Sequence, residues 1–158
     1  MPQLVKGGKH AFGWSRVGKG GRVRIPPEAL QEYGFRELEK LIVIPGSRTS
    51  GGFGLGSRES LRGSRIGAVL EAHPESGKCR VPEGELIACK GREYCWVALR
   101  NGGVVLPQGL LQRYGITSES RLLVVRGSGL AVGFAVRGPI VEEAEKHSEL
   151  AVFEPDIG

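Results

Sequence analysis

The 158-residue sequence predicts a mainly β chain with a few short helices, built from two tandem copies of one strand, helix and hairpin unit. Three observations predict it: an ungapped internal repeat, Pro and Gly punctuation at the same places in each copy, and β-prone runs after each short helix.

The repeat is read first because it decides how the rest is divided. Ile25-Pro26 and Leu106-Pro107 open two segments offset by 81 positions (26 to 107). At that offset Gly21 meets Gly102, Val23 meets Val104, Leu30-Gln31 meets Leu111-Gln112, and Tyr33-Gly34 meets Tyr114-Gly115. Leu41 then meets Leu122, Gly46-Ser47 meets Gly127-Ser128, and Gly52-Phe53 meets Gly133-Phe134.

Within each copy a short β-prone stretch, Arg22 to Ile25 or Val104 to Leu106, runs into Pro. Proline suits a first helical turn, which needs no N–H there, and Gly suits the left-handed residue that ends a helix. Short helices are therefore expected over Pro27 to Tyr33 and Gln108 to Tyr114. Leu41 to Ile44 and Leu122 to Val125 read as strands, followed by Gly/Ser-rich turns and second arms around Phe53 and Phe134.

A weaker third echo, Gly77 to Leu86, lacks the Tyr-Gly and the hairpin. Between Arg58 and Gly77 an apolar patch, Ile66 to Leu70, marks a connecting segment with one further strand. A last helix is expected from about Pro139 to Lys146, with Val141 and Ala144 on one face. The expected division is 1–57 for the first repeat with its basic N-terminal segment, 58–92 for the connection with the partial repeat, and 93–158 for the second repeat plus the last helix.

Composition bounds the class. Hydrophobic residues make up 40% of the chain, too many for a disordered chain, and no apolar run approaches the ~20 residues of a membrane span. Met1 to Lys9 carries Lys6 and Lys9 without the apolar stretch of a signal peptide, which points to the cytoplasm. Cys79, Cys89 and Cys95 are odd in number and lack C-x-x-C spacing, so they read as free structural thiols.

The net charge of +5 is uneven: residues 1–80 hold 14 Lys/Arg against 7 Asp/Glu, and residues 81–158 hold 8 against 10, giving +7 and −2. Lys6, Lys9, Arg16, Lys19, Arg22 and Arg24 all precede the first acidic residue, Glu28, while Glu142, Glu143, Glu145, Glu149, Glu154 and Asp156 crowd the C-terminal stretch. A polyanionic partner is expected to meet the first half.

Side chains alternate along a strand, so Arg22 and Arg24 are expected on one face and Val23 and Ile25 on the other. With Arg16 and Lys19 across the adjoining turn, they form a candidate DNA-binding set, suited to phosphates and to guanine edges in a major groove. A solvated basic edge strand is the bland alternative.

Other constellations carry less. Gly52-Phe-Gly54-Leu-Gly56 lacks the Gly-Lys-Ser/Thr of a phosphate loop and reads as a flexible hairpin region. His73 with the three cysteines fits no common zinc framework, so no metal or other cofactor is expected. His147 has no second His one turn away, and its expected role is to favour a helix C-terminus. No nucleophile elbow or nucleophile-base pair is evident, and the chain is not expected to be an enzyme. Trp14 and Trp96 read as core aromatics rather than base-stacking ones.

The run Ser15-Arg-Val-Gly-Lys-Gly-Gly21-Arg22-Val-Arg-Ile25-Pro26, with Glu28, Tyr33-Gly34 and the Leu41 to Ile44 strand, resembles the AbrB/SpoVT DNA-binding domain signature. Leu99-Arg-Asn-Gly102-Gly-Val-Val-Leu106-Pro107 with Tyr114-Gly115-Ile116 resembles it again, and together the copies cover about residues 12–57 and 93–138. The resemblance implies a swapped-hairpin β-barrel formed by the two repeats, and a transcriptional regulator that binds duplex DNA. The sequence departs from the pattern in two places. Gly103 and Val105 stand where the first copy has Arg22 and Arg24, leaving Arg100 as the second copy's basic residue in that stretch. The family's basic pair in the short helix is not evident, since Leu30 and Gln31 stand near its place. A two-sided basic surface then requires two chains, so self-association is expected. The alternatives are an interaction module that keeps the barrel without DNA binding and reads a protein partner through its acidic C-terminal region, or a small-molecule sensor on the barrel.

Overall fold

The computed structural model describes residues 11–46, 49–57, 83, 87–89, 92–117, 120–126 and 131–155. Lys6, Lys9, the patch at Ile66 to Leu70, His73, Cys79 and nearly all of the third echo lie outside them. In chain order the first half contributes β1 (Ala11–Arg16), a 3-10 turn (Lys19–Gly21), β2 (Arg22–Arg24), α1 (Pro27–Tyr33), β3 (Lys40–Pro45) and β4 (Phe53–Ser57). Then come β5 (Ile87–Cys89), β6 (Arg92–Ala98), β7 (Gly103–Val105), α2 (Gln108–Arg113), β8 (Arg121–Arg126) and β9 (Val132–Ala135). The chain closes with α3 (Pro139–Ala144) and β10 (Val152–Phe153).

The punctuation acts as expected. Pro27 sits in the first turn of α1, and Gly34 ends that helix with φ 66°, the left-handed conformation that glycine adopts without a Cβ penalty. In α3 the inward face is Val141 and Ala144, both buried. The glycines at 52–56 lie in the expected hairpin, in its second arm: Phe53–Ser57 is a central strand, β4, paired on one side with β3 and on the other with β9. Its alternating apolar residues, Phe53 and Leu55, are both buried, and that burial holds the glycine-rich backbone in the ladder.

Eight strands form one sheet in the order β10, β1, β8, β9, β4, β3, β6, β5, and β2 pairs with β7 in a separate two-stranded ribbon. Each half makes its own hairpin, β3 with β4 and β8 with β9, yet the strand beside each hairpin comes from the other half. β1 pairs with β8 and β6 with β3, both antiparallel. The halves also meet at β4 and β9, where Phe53 faces Phe134, and in the ribbon, where Val23 faces Val104.

A closed barrel, expected from the resemblance, is not found among the described residues. β10 takes the second edge of β1 and β5 takes the second edge of β6, so neither strand has a free ladder left with which to close the sheet on itself.

The main core draws on both halves: Val23, Ile25, Leu41, Phe53 and Leu55 pack with Val104, Leu106, Leu110, Leu122 and Phe134. At its centre the rings of Phe53 and Phe134 stack with centroids 4.6 Å apart and planes at 10°. A smaller cluster on the other side of the sheet joins Trp14, Leu123, Val125 and Ala135 to Val141, Ala144 and Leu150. Both tryptophans are core residues: Trp14 is 4% and Trp96 9% exposed.

Candidate nucleic-acid interface

The ribbon of β2 and β7 is where the first half's cations gather. Alternation places Val23 and Val104 inward, each fully buried, so the partners Arg22 with Val105 and Arg24 with Gly103 share the outward face. Arg22 and Arg24 are therefore successive cations on one side of one strand, about 6.7 Å apart along it. The backbone beneath them is pinned: the hydroxyl of Ser15, itself fully buried, donates to the carbonyl of Arg24. Leu106 N–H donates to Gly21 O at 3.0 Å and Ile25 N–H to Gly102 O at 2.8 Å, closing both ends of the ribbon.

The four sequence-nominated residues do not stand alike. The Arg22 guanidinium reaches across the ribbon and donates to the carbonyl of Asn101 at 3.1 Å. Gly103 makes that crossing possible, because a Cβ there would lie 2.9 Å from Arg22 Cζ and 2.6 Å from the carbonyl oxygen of Val23. Arg24, half-buried, makes no side-chain hydrogen bond or ion pair among the described residues, and neither does the exposed Lys19 on the 3-10 turn. Arg16, at the end of β1, places its Nε 3.1 Å from both carboxylate oxygens of Glu154. Lys19, Arg22 and Arg24 thus belong to the ribbon and its adjoining turn, while Arg16 is bound by the C-terminal segment.

Among the described residues the second half presents no matching surface. Val105 is 49% exposed where the first half has Arg24. Arg100 is held by Glu83, with Nη1 to Oε2 at 2.9 Å, and the same carboxylate oxygen accepts the N–H of Ala98 at 2.9 Å. The hydrogen bond from Arg100 holds the Glu83 carboxyl below its ordinary range, so the pair is a closed charge unit rather than an open cation.

Two shallow clefts flank these elements. One, about 340 Å³, lies along the ends of the two hairpins by Ile44, Gly51, Ala131 and Gly133. The other, about 410 Å³, runs between the 3-10 turn and α2, lined by Gly18, Gly20, Gln108, Gln112 and Thr117. Both are open to solvent. Among the described residues no group of three or more His, Cys, Asp or Glu is placed to hold a metal ion. Burial pushes the Cys95 thiol up to about 12, which makes it a core group rather than a nucleophile. Among the described residues no helix is long and apolar enough to cross a membrane.

Sequence reasoning missed Ser15 and Gly103 as supports of the ribbon, and Glu154 as the partner of Arg16. The available signal was the Gly at 103 opposite an Arg-rich strand; nothing local to Ser15 or Glu154 marks either role. No protein-family model, curated protein or solved structure matches the chain.

Proposed function

We propose that the protein is a DNA-binding transcriptional regulator of AbrB/SpoVT type, with a swapped-hairpin arrangement of its two repeats, that meets duplex DNA through the outward face of β2. The observation that carries the reading is the pair Arg22 and Arg24, held side by side on a ribbon whose other face is the fully buried Val23–Val104 pair. Such a ribbon is rigid beneath and cationic above, and a two-stranded β-ribbon fits a major groove. Support for the hairpin reading comes from the cross-pairing of β1 with β8 and of β6 with β3.

Lys19, Arg22 and Arg24 serve as phosphate contacts. The asymmetry between the halves gives one chain one basic face, so a symmetric DNA site takes two chains, each presenting its first half. Binding to random-sequence duplex across a salt series tests this. Arg22→Ala/Arg24→Ala should weaken binding and make the salt slope shallower by about 1.8, since each phosphate contact contributes about 0.9. Absence of wild-type binding at low salt would overturn the reading.

A further inference from the structure

We propose that the C-terminal strand is an internal anion that competes with DNA phosphate for Arg16, an inference that rests on the DNA reading above. The segment from Ala151 to Pro155 lies along β1. Its strand β10 pairs in parallel with β1, Trp14 opposite Val152 and Ser15 opposite Phe153, and Trp14 N–H donates to Ala151 O at 2.8 Å. The parallel register carries Glu154 to the end of β1, onto Arg16.

The seat for this strap is built into the first half. A Cβ at Gly13 would lie 2.7 Å from Ala151 O and 3.0 Å from the Phe153 ring. A Cβ at Gly18 would lie 2.7 Å from Pro155 Cβ, with Arg22 Cβ the next side-chain residue at 3.6 Å. Glycine at both positions lets the strap lie close, and it brings Pro155 up beside the base of Arg22. Among the described residues the second half has no such occupant: the strand beside β6 is β5, which runs antiparallel. Among the described residues, the acidic strap lies on the basic half.

The attachment is weak enough to exchange. β10 is two residues long, Val152 is 38% exposed, and Glu154 and Arg16 are 60% and 38% exposed. A surface ion pair of that exposure is screened by salt and is readily outcompeted by a polyphosphate chain. When DNA approaches the ribbon, its phosphate replaces the Glu154 carboxylate on Arg16, and the displaced carboxylate returns to water. The strap therefore raises the threshold for non-specific binding.

Glu154→Gln tests the competition without removing the strand. In the intact chain it should tighten binding to random-sequence duplex about two- to fivefold at low salt, the scale of an exposed ion pair, and the gain should shrink as added salt screens the Arg16–Glu154 pair in the wild type. In an Arg16→Ala background the same substitution should have no effect, and Glu145→Gln, an equal charge change at an exposed residue at the end of α3, should give a smaller gain. Equal gains from Glu145→Gln and Glu154→Gln, a gain that survives loss of Arg16, or no gain at all would overturn the strap's role. If neither wild type nor Glu154→Gln binds DNA at any salt, the DNA reading itself falls and the strap's role with it. Wild-type binding that Glu154→Gln leaves unchanged sinks the strap alone. Thermal melts of each variant check that the fold is intact.

Discussion

Phe53 and Phe134 face each other across the junction of β4 and β9, ring upon ring, and they occupy the same position in the two copies. Val23 and Val104 do the same in the ribbon. Each pairing joins residues 81 positions apart, the offset of the sequence repeat (53 to 134 and 23 to 104), so the two halves meet through like residues. Phe53 is also stacked on Tyr114 of the second half, centroids 5.9 Å apart.

Truncating either ring opens a void shared by both halves. Phe53→Ala and Phe134→Ala should each cost about 3–5 kcal/mol. The double variant should cost less than the sum, because each ring loses the same partner. Urea unfolding monitored by circular dichroism measures all three.

Gly103→Ala should destabilise the protein by about 1–3 kcal/mol, as an added methyl must push the Val23 carbonyl or lift the Arg22 guanidinium. If it lifts Arg22, the proposed DNA binding should weaken along with stability, and a crystal structure of the variant would show the Arg22–Asn101 hydrogen bond lost. A neutral substitution would mean that the ribbon has more room than these contacts imply.

Arg121 lies over the ring of Trp14, 4.4 Å from its centroid, and Lys40 lies over Trp96 at 5.0 Å. Arg121→Ala should cost up to about 1 kcal/mol, and Lys40→Ala less, given its longer reach and the preference of the interaction for Arg. Both should shift tryptophan emission, one ring at a time, which makes the two halves separately visible in fluorescence.

His147 ends the α3 segment with Nδ1 2.8 Å from Glu149 and Nε2 3.6 Å from Glu143. The hydrogen bond to Glu149, then the nearby Glu143 carboxylate, raises its pKa. A raised folded-state pKa means that the fold favours the protonated ring, so this stabilisation is present below the unfolded value near 6.5 and is lost as pH rises through the folded one. NMR titration should show the His147 midpoint above that value, and Glu149→Gln should lower it. No movement on that substitution would discount the contact.

Much of this was legible in the residues because local punctuation carries it. Pro27 and Gly34 bound α1 as read, and the offset of 81 positions holds from β2 to β9 because the turns between have equal length. It breaks at the first strand of each half. Trp14 pairs with Leu123 and Trp96 with Ile42, equivalent partners, yet the tryptophans stand 82 positions apart (14 to 96). The first half carries one more residue in the glycine turn between Trp14 and β2, and an ungapped comparison loses the match there.

The strap was not legible, for a different reason. Parallel pairing of β10 with β1 is made by backbone groups that every residue carries, so side-chain pattern holds no record of it. The acidic C-terminal stretch reads from composition as a surface for an outside partner. In the structure Glu154 is engaged with Arg16 of the same chain. The Arg22 and Arg24 face, by contrast, follows from strand alternation alone.

The cross-pairing of the halves also sets the order in which the chain matures. Ala11 finds its ladder partner only at Val125, and β3 finds its neighbour only at β6. A nascent chain that has emerged as far as β4 holds a hairpin, a short helix and an unpaired first strand, with half a core and nothing to cover it. Closing such long loops is slow compared with local hairpin formation. Folding should therefore wait on synthesis of β8 and β9, with exposed strand edges in the interval that holdase chaperones are suited to shield.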